Sequence, residues 1–471
     1  LSTYERRSRL PVEAPEAYDW HARDGAFERL RAPWLDQHVI ERAAGIQDGR
    51  RLVMQVRLGP VRRRWVAVHR DTDPGRSFVD EQVEGPFRRW VHRHTFRPAA
   101  SGCVLEDHVD YELPCGAAGR LVAGPSVRRT LANLFAFRHR RTVDDLARHA
   151  ACAARPRLRV LVSGASGMIG TELSAFLRSG GHDVVSLVRR TPRDETEIAW
   201  RPDEGRGPDP ASVDGVDAVV HLAGASIAGG RWTTARRRAI YESRVAGTGL
   251  LAATLAGLEH PPQVFLSASA MGFYGDRGDA VLDEGSPAGC GFLPDVCEAW
   301  ERAADPAVDA GIRTIFLRSG LVLTGRGGAL MKMLPALELA AGGPMGGGRQ
   351  WVSWISLEDW LGAALMLLYD ERLSGPVNLT TPEPVTNREF IATIGDVVHR
   401  PERIPLPATA IEVGLGEMGR RMLLDSLRVT PAKLIAAGFP YRYPRLADAL
   451  RLELGLLEGR REEPVARSRA T

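Results

Sequence analysis

The chain has 471 residues, of which 44% are hydrophobic and 25% charged, with a formal charge of +4. This is the composition of an ordinary soluble globular protein, long enough for two or three domains with full cores. The small net charge gives no case for nucleic acid, and no stretch reaches the ~20 apolar residues of a membrane span. Acids and arginines stand where a signal peptide would be apolar. The five cysteines (Cys103, Cys115, Cys152, Cys290, Cys297) have no metal-ligand spacing. An odd number without a framework suits a reducing compartment, so the expected location is cytoplasmic.

Residues 1–150 form the first expected domain. "RLVMQVRL" (51–58), "RWVAVHR" (64–70), "RWVHRHTF" (89–96) and "CVLEDHVDYEL" (103–113) alternate with period two, the pattern of half-buried antiparallel strands. The stretch 125–150 then turns helical, with Val127, Leu131, Leu134 and Phe135 on one face. A curved sheet followed by one long helix predicts a helix-grip domain closing over an apolar cavity. His92 and His94 share one face of a strand. No Cys, Asp or Glu completes a ligand set with them at recognisable spacing, so no metal site is expected and they read as cavity lining.

From 157 to 400 strands alternate with helical stretches, which predicts an α/β fold with a doubly wound parallel sheet. "LRVLVSG" is a strand, "ASGMIG" a turn, and "TELSAFLRSGG" a helix with Ile169, Leu173, Phe176 and Leu177 inward. Short helices follow over 401–455. Among them, "TPAKLIAAGF" (430–439) is expected to start on Thr430 as N-cap and Pro431 and to stop at Gly438. Residues 456–471 lack apolar periodicity and are expected to be a disordered tail.

Gly164, Gly167 and Gly170 are spaced Gly-x-x-Gly-x-x-Gly between a strand and a helix. Glycine permits the tight turn and close approach of the backbone to a pyrophosphate, and the helix N-terminus offers free N–H groups. Ser166, Met168 and Ile169 complete that loop as cofactor-binding candidates. The second strand ends in Arg189 and Arg190, with no acid until Asp194. Arginine can pair with the 2′-phosphate of NADP where an acid would accept the 2′-hydroxyl of NAD. NADP is therefore the expected cofactor and NAD the alternative.

At "GASGMIG", "DAVVHLAGASIAGGRWT", "SASAMGFYGD" and "RQWVSWISLEDW" the chain resembles the extended short-chain dehydrogenase/reductases, in the atypical epimerase family protein branch of the NAD-dependent epimerase/dehydratase group. Residues 416–439 are similar to the small C-terminal domain of that branch. Residues 1–150, especially "DEQVEGPFRRWVHRHTF" (80–96), resemble a START-like (SRPBCC) ligand-binding domain. The resemblance implies that Leu222, Ala223 and Gly224 line the cofactor cleft, and that Ser267 or Ser269 takes the place of the catalytic serine. It also puts Gln350, Trp351 and Trp354 on a Gly-rich stretch bordering the cleft of a small-molecule substrate, where the tryptophans equally suit hydrophobic anchoring; Arg231 and Trp232, on the loop after the fourth strand, are further candidates for that cleft.

Ordinary members use a Tyr-x-x-x-Lys pair, the lysine lowering the tyrosine pKa. Here those positions hold Phe292 and Val296, or Leu293 and Cys297, and the only lysines are Lys332 and Lys433. Tyr274, Asp295 and Cys297 are the candidate substitutes; each also has a plain structural reading. Three functions follow: an NADP-dependent oxidoreductase or epimerase-like enzyme; a non-catalytic NADP(H) sensor coupled to a hydrophobic ligand of the N-terminal domain; or an N-terminal cavity that delivers substrate.

Overall fold

The computed structural model describes residues 1–339, 342–401 and 404–457. Nearly all of the tail expected at 456–471 lies outside them. The chain divides into two compact units. One comprises Leu1–Ala22, Leu30–Ala147 and the segment from Arg451; the other comprises Arg23–Arg29 and Arg148–Leu450. Among the described residues, no helix is long and apolar enough to cross a membrane.

In the first unit, β1 (Ser2–Leu10), β2 (Gln37–Arg42), β3 (Arg51–Leu58), β4 (Val61–Asp73), β5 (Ser77–Glu84), β6 (Arg89–Pro98) and β7 (Cys103–Glu112) form an antiparallel sheet. Its order is β1-β7-β6-β5-β4-β3-β2. In β7 every second residue is buried (Cys103, Leu105, Asp107, Val109, Tyr111), as the alternation requires. Helix α1 (Ala14–Ala22) packs on this face, as does the long helix α2 (Gly116–Ala151), through Leu131 and Phe135 against Trp90, Val109 and Tyr111. This is the helix-grip arrangement.

Helix α2 starts at Gly116, well before the expected 125, and carries Pro125 inside. The added turns hold good helix formers, Ala117, Ala118 and Leu121, and Leu121 is solvent-exposed. There, a proline's missing hydrogen bond leaves a carbonyl that water can serve.

The second unit is built on seven parallel strands: β8 (Arg159–Ser163), β9 (Asp183–Val188), β10 (Glu197–Ala199), β11 (Ala218–His221), β12 (Val264–Ala270), β13 (Arg313–Ser319) and β14 (Gly375–Leu379). Their order, β10-β9-β8-β11-β12-β13-β14, reverses at the β8/β11 boundary, where a doubly wound sheet opens its ligand crevice. Helices α3 (Met168–Ser179), α4 (Thr234–Ala256), α5 (Phe292–Arg302) and α6 (Leu357–Tyr369) accompany it. Val160, Val162, Val220 and Leu266 pack under Leu173, Phe176 and Leu177 of α3 and Leu361 of α6. Leu161, Val219 and Phe265 pack under Leu251 and Leu255 of α4. Burial on both faces explains why these strands read as continuous apolar runs.

The C-terminal part adds α7 (Ala408–Gly419) and two short helices, Ala432–Ala436 and Leu446–Leu454. The first short helix takes Pro431, not Thr430, as its N-cap. The Thr430 backbone N–H donates to Leu282 O (2.8 Å), so extended pairing claims that residue. Gly438, with φ +74°, ends the segment as expected.

Candidate functional site

Strand β8 delivers the chain into the glycine loop at Gly164, whose φ is +70°. A Cβ there would lie 2.8 Å from the Leu222 carbonyl carbon and 2.9 Å from Ala223 N. One on Gly170 would lie 2.2 Å from Gly164 O. Both contacts forbid a side chain. Gly167 is the N-cap of α3 and provides no side-chain cap, so the first N–H groups of the helix stay available. Ser166 and Gly167 are exposed, while Met168 and Ile169 are half-buried behind them. Bare backbone, open N–H groups and a helix dipole fit the pyrophosphate of a dinucleotide.

A buried polar knot ties that loop to the opposite wall. Ser163 Oγ accepts the N–H groups of Leu222 (3.1 Å) and Ala223 (3.3 Å). Its own proton is left for His221 Nδ1, 2.6 Å away. Burial pushes His221 down to about 4, so its ring is neutral at physiological pH. Leu222 and Ala223 are thereby fixed beside Gly164. Ser163 and His221 escape sequence reasoning, since only the β8–β11 register makes them neighbours.

At the end of β9, Arg189 is exposed and has a long contact, 3.7 Å, with Asp203. Arg190 is committed to Glu197 through two bonds of 2.5 and 2.6 Å.

The sequence candidates for chemistry fall into different surroundings. Ser267 is fully buried, and its Oγ has no hydrogen-bond partner among the described residues. Ser269 Oγ donates to Glu301 Oε1 at 2.7 Å. Glu301, on α5, is clamped by Arg318 through Nε and Nη2, both at 2.8 Å. Arg318 Nη1 donates to the Tyr274 hydroxyl (3.1 Å), which donates to Asn378 Oδ1 (2.7 Å). The parallel register sets Ser269, Arg318 and Asn378 in one row across β12, β13 and β14. Sequence reasoning missed Glu301, Arg318 and Asn378; an arginine inside an apolar strand was their only signal.

Tyr274 does turn inward, but burial pushes its pKa up and both neighbours occupy its hydroxyl. Burial, reinforced by Glu301, pushes the Cys297 thiol up to about 12, so it stays neutral. Asp295 lies exposed in the first turn of α5. Val296 and Phe292 join an apolar cluster with Trp232, Ile240 and Met418.

Four of the substrate-side candidates serve separate tasks. Trp232 is buried, with Nε1 donating to Ile227 O (2.9 Å), and packs against Phe292. Exposed Arg231 reaches Val413 O (3.3 Å) on α7. Gln350 Nε2 bridges Met345 O (3.0 Å) and Leu423 O (2.9 Å). Trp351 donates to Asp279 (2.9 Å) and stacks under Arg428. A small cleft beside the loop after β12 is lined by Gly272, Gly275, Leu293, Pro294 and Arg421.

In the first unit, the expectation that nothing completes a ligand set around His92 and His94 is corrected. Asp80, on the neighbouring strand β5, brings a carboxylate to both. Spacing along one strand cannot show a partner supplied by the next.

Three family descriptions match the chain. "NAD dependent epimerase/dehydratase family" covers residues 160–289. "Polyketide cyclase / dehydrase and lipid transport" covers 10–137, and "Domain of unknown function (DUF1731)" covers 406–452. The chain is 42% identical to an epimerase family protein of Mycobacterium leprae over 291 residues, 62% of this chain and 94% of that one. Over 96% of its length it is similar to the crystal structure of a nucleoside-diphosphate sugar epimerase from Corynebacterium glutamicum (TM-score 0.78, 33% identity, 90% of that chain). Human epimerase family protein SDR39U1 (isoform 2), solved with NADPH, aligns with 63% of this chain and 99% of its own (TM-score 0.59, 33% identity). The chain therefore belongs to the epimerase family proteins of the NAD dependent epimerase/dehydratase group.

Proposed function

We propose that the protein is an NADP(H)-binding oxidoreductase or epimerase-like enzyme acting on a small molecule without the usual Tyr-x-x-x-Lys pair. The observation that carries this reading is the side-chain-free cradle at Gly164 and Gly170. In it, Gly164, Ser166, Gly167, Met168, Ile169 and Gly170 hold the pyrophosphate, Arg189 the 2′-phosphate, and Leu222, Ala223 and Gly224 the cleft wall. NADPH in the human relative favours NADP over NAD. The nicotinamide supplies or accepts hydride.

The chain's own contribution is proton handling at Ser269. Its proton is already directed at Glu301, so its oxygen is free to accept a hydrogen bond from a substrate hydroxyl. As that hydroxyl loses its proton to Oγ, Oγ passes its own to Glu301. Arg318 holds the carboxylate in place through two hydrogen bonds. Residues 1–150 serve as a hydrophobic-ligand domain, 157–400 as the nucleotide domain and 401–455 as its small companion. The setting is cytoplasmic, where the five unpaired cysteines stay reduced.

The test follows nicotinamide absorbance while the protein is offered a panel of secondary alcohols with NADP⁺ and, for the reverse direction, of carbonyl compounds with NADPH. Turnover reduced about 10²-fold or more in Ser269→Ala supports the reading. A second reading, a non-catalytic NADP(H) sensor, is favoured by one observation: Tyr274 and Cys297 are both sequestered and neutral. It predicts bound cofactor that never changes redox state. It also predicts hydrophobic-ligand affinity that differs between free and NADPH-loaded protein, with reciprocal coupling.

A further inference from the structure

The first unit holds a cluster of histidines and carboxylates that the nucleotide chemistry does not use. Four adjacent strands assemble it. The register pairs His69 of β4 with Asp80 of β5, Asp80 with His92 of β6, and His94 of β6 with Asp107 of β7. Because His92 and His94 are two apart, both rings face the side of the sheet covered by α2. Their centroids are 3.9 Å apart.

Asp80 Oδ2 lies 3.3 Å from His94 Nε2 and 3.8 Å from His92 Nδ1. The three ligand atoms all fall within 4.8 Å of one another. Tetrahedral bonds of about 2.0–2.2 Å place donor atoms about 3.3–3.6 Å apart, a range the Asp80–His94 separation meets and the Asp80–His92 separation slightly exceeds.

The opposite ring nitrogens supply a second observation. His94 Nδ1 is 2.7 Å and His92 Nε2 is 3.2 Å from Asp107 Oδ1. All three atoms are buried and within ion-pair range, but in the present ring orientations neither contact is aligned as a hydrogen bond. Asp107 is anchored on its other side, where His139 Nε2 of α2 bonds Oδ2 at 2.8 Å. A cation drawing the two rings toward Asp80 fixes which nitrogens carry protons and lets both rings donate to Asp107. A carboxylate behind a ligating imidazole is the usual support of such sites. His69 Nδ1, 2.6 Å from Asp80 Oδ1, stands in the same relation to the third ligand.

We propose that Asp80, His92 and His94 form a binding site for one first-row divalent transition ion, of which Zn²⁺ is the representative. Two imidazoles and one carboxylate select such ions over Mg²⁺ or Ca²⁺, which prefer all-oxygen shells. The side chains of His92 and His94 are buried, whereas those of Asp80 and His69 are 27% and 18% exposed, so solvent reaches the site from the Asp80 side. Three protein ligands leave a further position open on that side. Ligating imidazoles must be unprotonated at the metal-bound nitrogen, so protons compete with the ion.

The full chain, freed of metal by chelator, is titrated with Zn²⁺ and with Mg²⁺ by calorimetry. Co²⁺ absorption reports the geometry. The expected result is one Zn²⁺ per chain, no Mg²⁺ binding, and a Co²⁺ spectrum of low coordination number. Affinity drops at least about 100-fold in Asp80→Asn and His94→Ala, and about 10–100-fold in Asp107→Asn. His260→Gln, at an exposed histidine, leaves it unchanged. Asp80→Asn is close to isosteric at a partly exposed position, so it reports on binding even where His94→Ala fails to fold. No stoichiometric Zn²⁺ binding, or binding that survives Asp80→Asn within tenfold, overturns the proposal.

Discussion

At Gly170 the absence of one carbon decides whether the nucleotide loop can exist. A methyl group there would sit 2.2 Å from Gly164 O, so Gly170→Ala must displace the loop. NADPH binding is expected to fall beyond detection in calorimetry while far-UV circular dichroism stays unchanged; retained affinity contradicts this role. The cysteines give a second test. Burial raises Cys103 to about 11 and Cys297 to about 12, whereas Cys115 and Cys290 are exposed. Thiol reagent near neutral pH should modify Cys115 and Cys290 in the native protein and spare Cys103 and Cys297, as peptide mapping would show. His221 and His182 both drop from 6.5 to about 4 through burial. A histidine kept neutral by the fold gives stability that is complete above its unfolded pKa and lost as pH falls toward the folded one. The second unit should therefore lose up to about 3 kcal/mol per residue between about pH 6.5 and 4, with a shallower slope in His221→Gln. A urea midpoint independent of pH across that window would refute the assignment.

At the scale of elements, strand–loop–helix order and period-two alternation were legible because they are local. The glycine loop, the parallel sheet and the helix over the antiparallel sheet all follow from patterns a few residues long. Partners set by register were not. Ser269 reads as a serine in a loop motif, but its chemistry is set by Glu301, 32 residues on, and by Arg318 one strand over. Asp80 was invisible beside His92 for the same reason. Arg29 is the extreme case. It is fully buried between Glu172 (2.8 Å) and Glu358 (2.5 Å), 143 and 329 residues away. That ion pair network places the short segment Arg23–Arg29 within the second unit. Arg29→Ala leaves two carboxylates buried without this cation and should cost about 3–5 kcal/mol in denaturant unfolding. A loss below about 1 kcal/mol would show that the site relaxes or admits water.

Across the whole molecule, 96% of the chain is similar to a single solved structure, while the curated relatives pair with 62% of it. The two units thus carry different chemistry, a dinucleotide cradle in one and a histidine–carboxylate cluster in the other. Nothing in local sequence pattern names a substrate, because the residues around Ser269 are defined by what they hold in place. The central claim is the nucleotide site, and it is tested most directly by calorimetric titration of the full chain with NADPH and with NADH, repeated in Arg189→Ala. The account predicts tighter binding of NADPH, an affinity about 10–100-fold lower in Arg189→Ala, and no change for NADH. Binding of neither nucleotide would contradict it.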